Sequence, residues 1–284
     1  HDGEIILQCV EMFICSGLCC MSHESLLLLV ALISVGMAAA WLSMARQQHW
    51  VDHPNERSSH RIPTPSSGGV AIVAAFAVFV VLDGSFLRGW LDALAASGAI
   101  TLAITGIADD FLRLSIRVRV VLQLLAIAAL WPTLMTMPDL SLPGGLSLDG
   151  MALSLLLGVA LLWLINLYNF MDGIDGLASM QAIFTGLAIA LLTVLKGYAL
   201  NDLSPLALVA AVAGFLVFNI APARLFMGDI GSYFTGFTLA VIGLRHVQAE
   251  IITYWELVIL FGTFLADGTT TLLGRLLAGG VWYH

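Results

Sequence analysis

Nine stretches of this chain run for 15 to 21 residues with almost no charge: 25–45, 67–82, 93–108, 120–137, 151–171, 177–195, 203–223, 230–244 and 251–266, with Glu256 interrupting the ninth. A helix that crosses a bilayer takes about 20 residues. The four runs of 15 or 16 residues therefore need their polar flanks to enter the membrane interface. The expected fold is an all-α, polytopic integral membrane protein with about nine transmembrane helices. Composition agrees. Sixty per cent of residues are hydrophobic and 11% charged, against about 45–50% and about 25% in ordinary soluble domains. A water-soluble enzyme, a nucleic-acid-binding domain and a disordered tail are excluded. With the length committed to spans, any chemistry has to sit on helix ends and short connections.

All four cysteines, Cys9, Cys15, Cys19 and Cys20, fall in the first twenty residues, with no metal-ligand or redox spacing. Residues 1–24 read as an atypical segment, and Met21 is the expected natural start. Residues 25–284 read as a single transmembrane domain whose first run is retained as a helix, because it lacks the basic flank of a secretory signal.

Nine spans alternate sides, so each connection falls on one of two faces. One face receives Arg46, Arg57, Arg61, Arg113, Arg117, Arg119, Arg224 and Arg275, and the other Arg88, Lys196 and Arg245. Eight basic residues against three make the first face cytoplasmic and place the N-terminus outside. The same face collects Asp109, Asp110, Asp172, Asp175 and Asp229 near the ends of apolar runs, where a charge is costly unless paired or bound.

Four segments on that face carry chemistry. The polar loop 51–69 holds Arg57, His60 and Arg61, which suit an anion, and ends in Gly68-Gly69, which permits close backbone approach. A solvated positive loop is the plainer alternative. In 106–119, the adjacent Asp109 and Asp110 repel each other and call for a cation, either a divalent metal or the set Arg113, Arg117 and Arg119. Arginine suits phosphate because its planar fork donates two parallel hydrogen bonds.

In 166–178, Asn166, Asn169, Asp172 and Asp175 recur every three residues. On a helix each lags its predecessor by about 60°, so an unbroken helix cannot aim all four at one ion. Gly173 and Gly176 supply the break: Asn169 and Asp172 are expected to face the site from the last turn, and Asp175 from the turn that follows. Such oxygen ligands suit Mg²⁺, which keeps waters and takes further ligands from substrate phosphates. In 218–232, Pro222 ends one span and Gly228-Asp229 opens the next. That helix N-terminus is expected to offer free N–H groups to a phosphate, with Asp229 as a metal ligand and Phe226 either against a base or simply in the interface.

Together these segments resemble the polyprenyl-phosphate N-acetylhexosamine-1-phosphate transferase superfamily, glycosyltransferase family 4, with its MraY, WecA and WbpL types. The most specific wording is Asn169-Phe-Met-Asp-Gly-Ile-Asp-Gly-Leu177 and Phe226-Met-Gly-Asp-Ile-Gly-Ser232. Asp52-His-Pro-Asn-Glu-Arg-Ser-Ser-His60 looks most like the WbpL-type enzymes that start O-antigen synthesis. The resemblance implies transfer of N-acetylhexosamine-1-phosphate from a UDP-sugar to undecaprenyl phosphate at the cytoplasmic face of the bacterial inner membrane, releasing UMP. It also implies Mg²⁺, with Mn²⁺ as a substitute, no nucleic-acid partner, and a homodimer as an expected assembly.

Carried over by residue, the resemblance makes Asp109 and Asp110 the catalytic pair near the lipid phosphate and Asn169 and Asp229 the metal ligands. Asp172, Asp175, Phe226, Arg119, Arg57 and His60 become the substrate-binding set. Alternatives are the pentapeptide transferase of peptidoglycan synthesis and, from another class, a cation-coupled transporter, which would place its charges near the midplane and show a repeat between halves. The family's histidine-rich loop and last helix have no counterpart before His284, so little transferase activity is expected of the 284-residue form.

Overall fold

The computed structural model describes residues 22–48, 50–52, 63–84 and 89–277. Among them the chain is helical almost throughout. The elements are α1 (His23–Gln48), α2 (Val70–Asp83), α3 (Trp90–Leu112), α4 (Ile116–Ala129), α5 (Trp131–Leu134), α6 (Gly150–Met171), α7 (Leu177–Leu195), α8 (Ser204–Asn219), α9 (Gly228–Gln248), α10 (Tyr254–Leu260) and α11 (Gly262–Leu277). Two small antiparallel hairpins join them: β1 (Val51–Asp52) with β2 (Thr64–Pro65), and β3 (Leu140–Ser141) with β4 (Ser147–Leu148). In hydrocarbon every backbone N–H and C=O must be paired within the protein, which leaves helices as the way for apolar runs of this length to cross.

All nine runs are helical, but two are broken. The run 120–137 divides at Leu130 into α4 and the single turn α5, whose second residue, Pro132, has no N–H to continue the ladder. The run 251–266 divides at Phe261 into α10 and α11, and the Leu260 carbonyl at the break accepts Gln181 Nε2 at 2.9 Å. Four helices, α1, α3, α6 and α7, are long and apolar enough to cross a membrane, and α2 and α8 are apolar but shorter. Large side chains such as Leu28, Ile100, Leu125, Leu155, Val159 and Leu191 stand exposed on these helices and on α4. A surface this apolar is covered by lipid. The chain is a multi-pass membrane protein.

At the centre stands α9, buried at every residue from Ile230 to Leu244 and packed on α3, α6, α7, α2, α8 and α10. It is less apolar than its neighbours because it faces protein, not lipid, and its packing relies on small residues that let helices approach closely. A Cβ on Gly106 of α3 would lie 2.4 Å from Ile230 Cα, and one on Gly236 would lie 2.9 Å from Tyr168 Cβ of α6. Gly69 and Gly231 are in backbone contact, since a Cβ on Gly69 would fall 2.2 Å from Gly231 Cα. The close approach expected of Gly68-Gly69 is therefore present, and its partner is the first turn of α9.

Candidate active site

The first turn of α9 is where the chemical segments meet. Ahead of it, residues 226–227 are hydrogen-bonded to 65–69: Phe226 N–H donates to Pro65 O, Gly68 N–H to Phe226 O and Gly69 N–H to Met227 O, each at 2.8 Å. Gly228 then turns the chain into α9 with φ 75°, a left-handed conformation that glycine adopts without strain. A side chain there would strike Asp110 Oδ2 at 2.7 Å.

Asp110, near the end of α3, reaches this turn and caps it. Its Oδ1 accepts the Asp229 N–H at 2.9 Å and its Oδ2 the Ile230 N–H at 3.4 Å, and Ser67 lies beside the same carboxylate. Asp172, the C-cap of α6, lies beside the same turn. The expectation of free N–H groups for a phosphate is thereby corrected. The Asp110 carboxylate from α3 already takes the Asp229 and Ile230 donors, because it satisfies orphan N–H groups of α9 and meets the positive end of its dipole.

Asp109 plays a different part. Buried at 5% exposure, it accepts the Leu114 N–H at 2.9 Å on Oδ1, while Oδ2 faces the Tyr233 hydroxyl at 3.3 Å and Arg119 Nη1 at 3.2 Å. It thus closes the turn between α3 and α4 and holds Arg119 beside α9. Arg113 and Arg117 are exposed. Among the described residues, Arg119 is the one of the three expected cations that forms an ion pair with the aspartates.

The spacing of three works out as the break predicts for Asn169 and Asp172. Asn169 Nδ2 donates to Asp229 Oδ1 and, at 2.9 Å, to Ser232 Oγ. Asp172 lies close enough to Asp229 and Asp110 for mutual repulsion. Loss of solvation, and then those two charges, hold its carboxyl well above the usual carboxylate range. Gly176, with φ 73°, makes the break and starts α7.

Asp175 departs from the expected convergence. Its Oδ2 accepts the Ala223 N–H at 2.9 Å, tying the turn after α6 to the loop between α8 and α9, while Oδ1 is buried with no partner among the described residues. Asn166 points elsewhere and exchanges amide hydrogen bonds with Gln123 of α4.

Sequence reasoning missed three contributors. Buried Asn219 accepts from the Gly176 N–H and the Ser179 hydroxyl and donates to Leu225 O at 3.1 Å, fastening the loop that carries Phe226. Tyr233 supports Asp109, and Ser67, at φ 63°, lies beside Asp110. None is part of a charge pattern; the only signal is their place beside the motifs. Phe226 itself is half-buried. Arg57 and His60 lie outside the described residues.

Among the described residues no three Asp, Glu, His or Cys side chains form a ready-made metal cage. The donor chemistry nevertheless fits Mg²⁺, which needs only one or two carboxylates and takes the rest of its ligands from water and phosphate. Asp229 and Asn169 are in contact beside the crowded Asp110 and Asp172. Turned over, the Asn169 amide presents an oxygen to a cation.

A family model for "Glycosyl transferase family 4" matches residues 92–247, more than half the chain. The chain is 30% identical over 236 residues to a "Probable undecaprenyl-phosphate N-acetylglucosaminyl 1-phosphate transferase" of Bacillus subtilis, covering 80% of this chain and 64% of the relative. It is 31% identical over 261 residues to a "Phospho-N-acetylmuramoyl-pentapeptide-transferase" of Desulforudis audaxviator, covering 80% of this chain and 73% of that one. A "Decaprenyl-phosphate N-acetylglucosaminephosphotransferase" of Mycolicibacterium smegmatis is 32% identical over 233 residues, 74% of this chain and 57% of the relative. The chain therefore spans less than two thirds of the Bacillus and Mycolicibacterium proteins. The matched region runs from the start of α3 to the end of α9 and so contains Asp109, Asp110, Arg119, Asn169, Asp172, Asp175, Phe226 and Asp229: this chain belongs to glycosyl transferase family 4.

Proposed function

We propose that the protein transfers N-acetylhexosamine-1-phosphate from a UDP-sugar to undecaprenyl phosphate, giving undecaprenyl-diphosphate-sugar and UMP, as the first step of O-antigen or related cell-envelope polysaccharide synthesis. The observation that carries this reading is the meeting of α3, the end of α6 and the first turn of α9 at one end of the bundle. The first two bring carboxylates onto the third, with Arg119 alongside. The excess of arginine on the same face supports a cytoplasmic site in the inner membrane.

The chemistry follows from charge. A polyprenyl phosphate, with a second pKa of about 6 like other phosphate monoesters, is largely ionised at neutral pH and is already a nucleophile. The site has to bring two anions together in line. Bound at Asn169 and Asp229, Mg²⁺ would supply charge neutralisation of the diphosphate. Arg119, held by Asp109, is placed to neutralise a phosphate. Both oxygens of Asp109 and of Asp110 already accept protein hydrogen bonds. This favours direct attack by the lipid phosphate over a covalent intermediate on either residue, and casts the pair as positioning groups.

The test is UMP release by the purified membrane protein, in a form that carries the family's histidine-rich loop, with undecaprenyl phosphate and a panel of UDP-N-acetylhexosamines, including UDP-N-acetylmuramoyl-pentapeptide, with and without Mg²⁺. Release with a simple UDP-N-acetylhexosamine is expected. Release with the pentapeptide substrate alone supports the peptidoglycan reading, and no release with any of them overturns the proposal.

A further inference from the structure

The end of the bundle opposite the aspartates carries a second built feature. Arg245 lies 16 residues beyond Asp229 on α9, about 24 Å along the axis at 1.5 Å per residue. Its Nη2 pairs with Asp92 Oδ1 of α3 at 2.8 Å, and both side chains are largely buried, at 24% and 20% exposure. Beside the pair lies a cavity of about 260 Å³, lined by apolar residues that include Leu130, Leu134 and Leu244 and by the polar Asp92, Thr133 and Arg245. The Thr133 hydroxyl is buried without a hydrogen-bond partner among the described residues. Buried hydroxyls are ordinarily paired, so this one marks a place for an acceptor or donor supplied from outside.

The level of the cavity in the membrane is marked by tryptophan. Trp90, 67% exposed, opens α3 two residues before Asp92, and Trp255, 49% exposed, donates its indole N–H to Ser141 O at 3.2 Å. Tryptophans concentrate at the head-group level, where one side of the ring is wet and the other apolar.

We propose that this cavity binds a membrane phospholipid and selects a zwitterionic phosphoethanolamine head group. The leucines take part of an acyl chain. Arg245 and Asp92 present one positive and one negative group. An anionic head group finds Arg245 but is repelled by Asp92. A head group with a phosphate and an N–H-bearing ammonium meets both with the right sign, and the Thr133 hydroxyl donates to a phosphate or glycerol oxygen. A choline head group has the same net charge, but its quaternary nitrogen has no N–H to give Asp92.

The test is native mass spectrometry of the purified protein equilibrated in mixed micelles with equal amounts of phosphatidylethanolamine, phosphatidylglycerol and phosphatidylcholine of matched acyl chains. Phosphatidylethanolamine adducts are expected to exceed the other two by about three- to fivefold, the scale of a partly exposed charge pair. The double variant Asp92→Asn/Arg245→Gln removes both charges together, leaving neither unpaired, and is expected to erase the preference. Thr133→Val keeps the ion pair and the side-chain volume, and is expected to retain less phosphatidylethanolamine with an unchanged melting temperature. Equal retention of the three lipids by the unaltered protein, a preference that survives in the double variant, or full retention by Thr133→Val overturns the proposal.

Discussion

Asp110 and Asp229, 119 residues apart in sequence, are joined by a hydrogen bond of 2.9 Å from the Asp229 backbone N–H to Asp110 Oδ1, so one carboxylate of the site caps the helix that carries another. Removing Asp110 therefore has two consequences that two substitutions separate. Asp110→Ala leaves buried N–H donors without an acceptor and should lower stability by about 1–3 kcal/mol, read as a drop in melting temperature in detergent. Asp110→Asn keeps an acceptor oxygen and should stay within about 1 kcal/mol of the original. If both variants melt together, the cap is not what holds this turn.

Asp229 is the next test, because its side chain contacts Asn169 and contributes little to the cap. Asp229→Ala should cut Mg²⁺-dependent UMP release by about 10²–10³-fold, the scale seen when one electrostatic group is removed from a transition state. The melting temperature should change little. Unchanged turnover would exclude Asp229 from the site.

Contact between the loop after β2 and the first turn of α9 depends on glycine. Gly69→Ala would place a methyl 2.2 Å from Gly231 Cα, a backbone atom that cannot step aside. We expect destabilisation of about 1–3 kcal/mol and loss of activity, because the pairing of 65–69 with 226–227 has to shift. Gly36→Ala in α1, where nothing lies within 4 Å, is the control. It should be neutral or stabilising by up to about 1 kcal/mol. Thermal melts of the two variants side by side decide the matter.

Gln123 and Asn166 form a reciprocal amide pair, with Asn166 Nδ2 to Gln123 Oε1 at 2.8 Å and Gln123 Nε2 to Asn166 Oδ1 at 3.3 Å. Gln123→Leu or Asn166→Leu alone strands a polar partner and should cost about 0.5–2 kcal/mol, the range for hydrogen bonds between membrane helices. The double substitution should recover much of the loss. A double-mutant cycle with zero coupling energy would show that the pair contributes nothing.

Much of this architecture is legible in the chain. The run 177–195 coincides with α7, and Gly176 breaks the polar spacing where a left-handed residue is required. Those features are local: apolar length demands a helix, and a positive φ demands glycine. Pro132 marks the split at Leu130, but the split at Phe261 was less visible, because that apolar run carries no mark of where its helix bends. The N-terminus of α9 misled for a related reason. Local sequence shows that its donors exist, but only the approach of Asp110 from elsewhere shows that two of them are taken.

Asp109 and Asp175 show the same division. The adjacency of Asp109 and Asp110 signalled a demand for compensating charge, and Arg119 meets it at Asp109. Nothing in the sequence distinguished an aspartate that closes a turn on Leu114 from one that caps a remote helix. By itself the sequence determined a membrane-embedded helical bundle, scarce charge gathered near one end, and the family. The first two follow from burial cost and residue type and the family from its motifs, all of which are written residue by residue. Tertiary structure alone decided which donor each carboxylate meets, that Asp175 bonds Ala223, and that Asn219 fastens the Phe226 loop. Hydrogen bonds act over about 3 Å, and which groups come that close is settled by how α3, α6 and α9 pack.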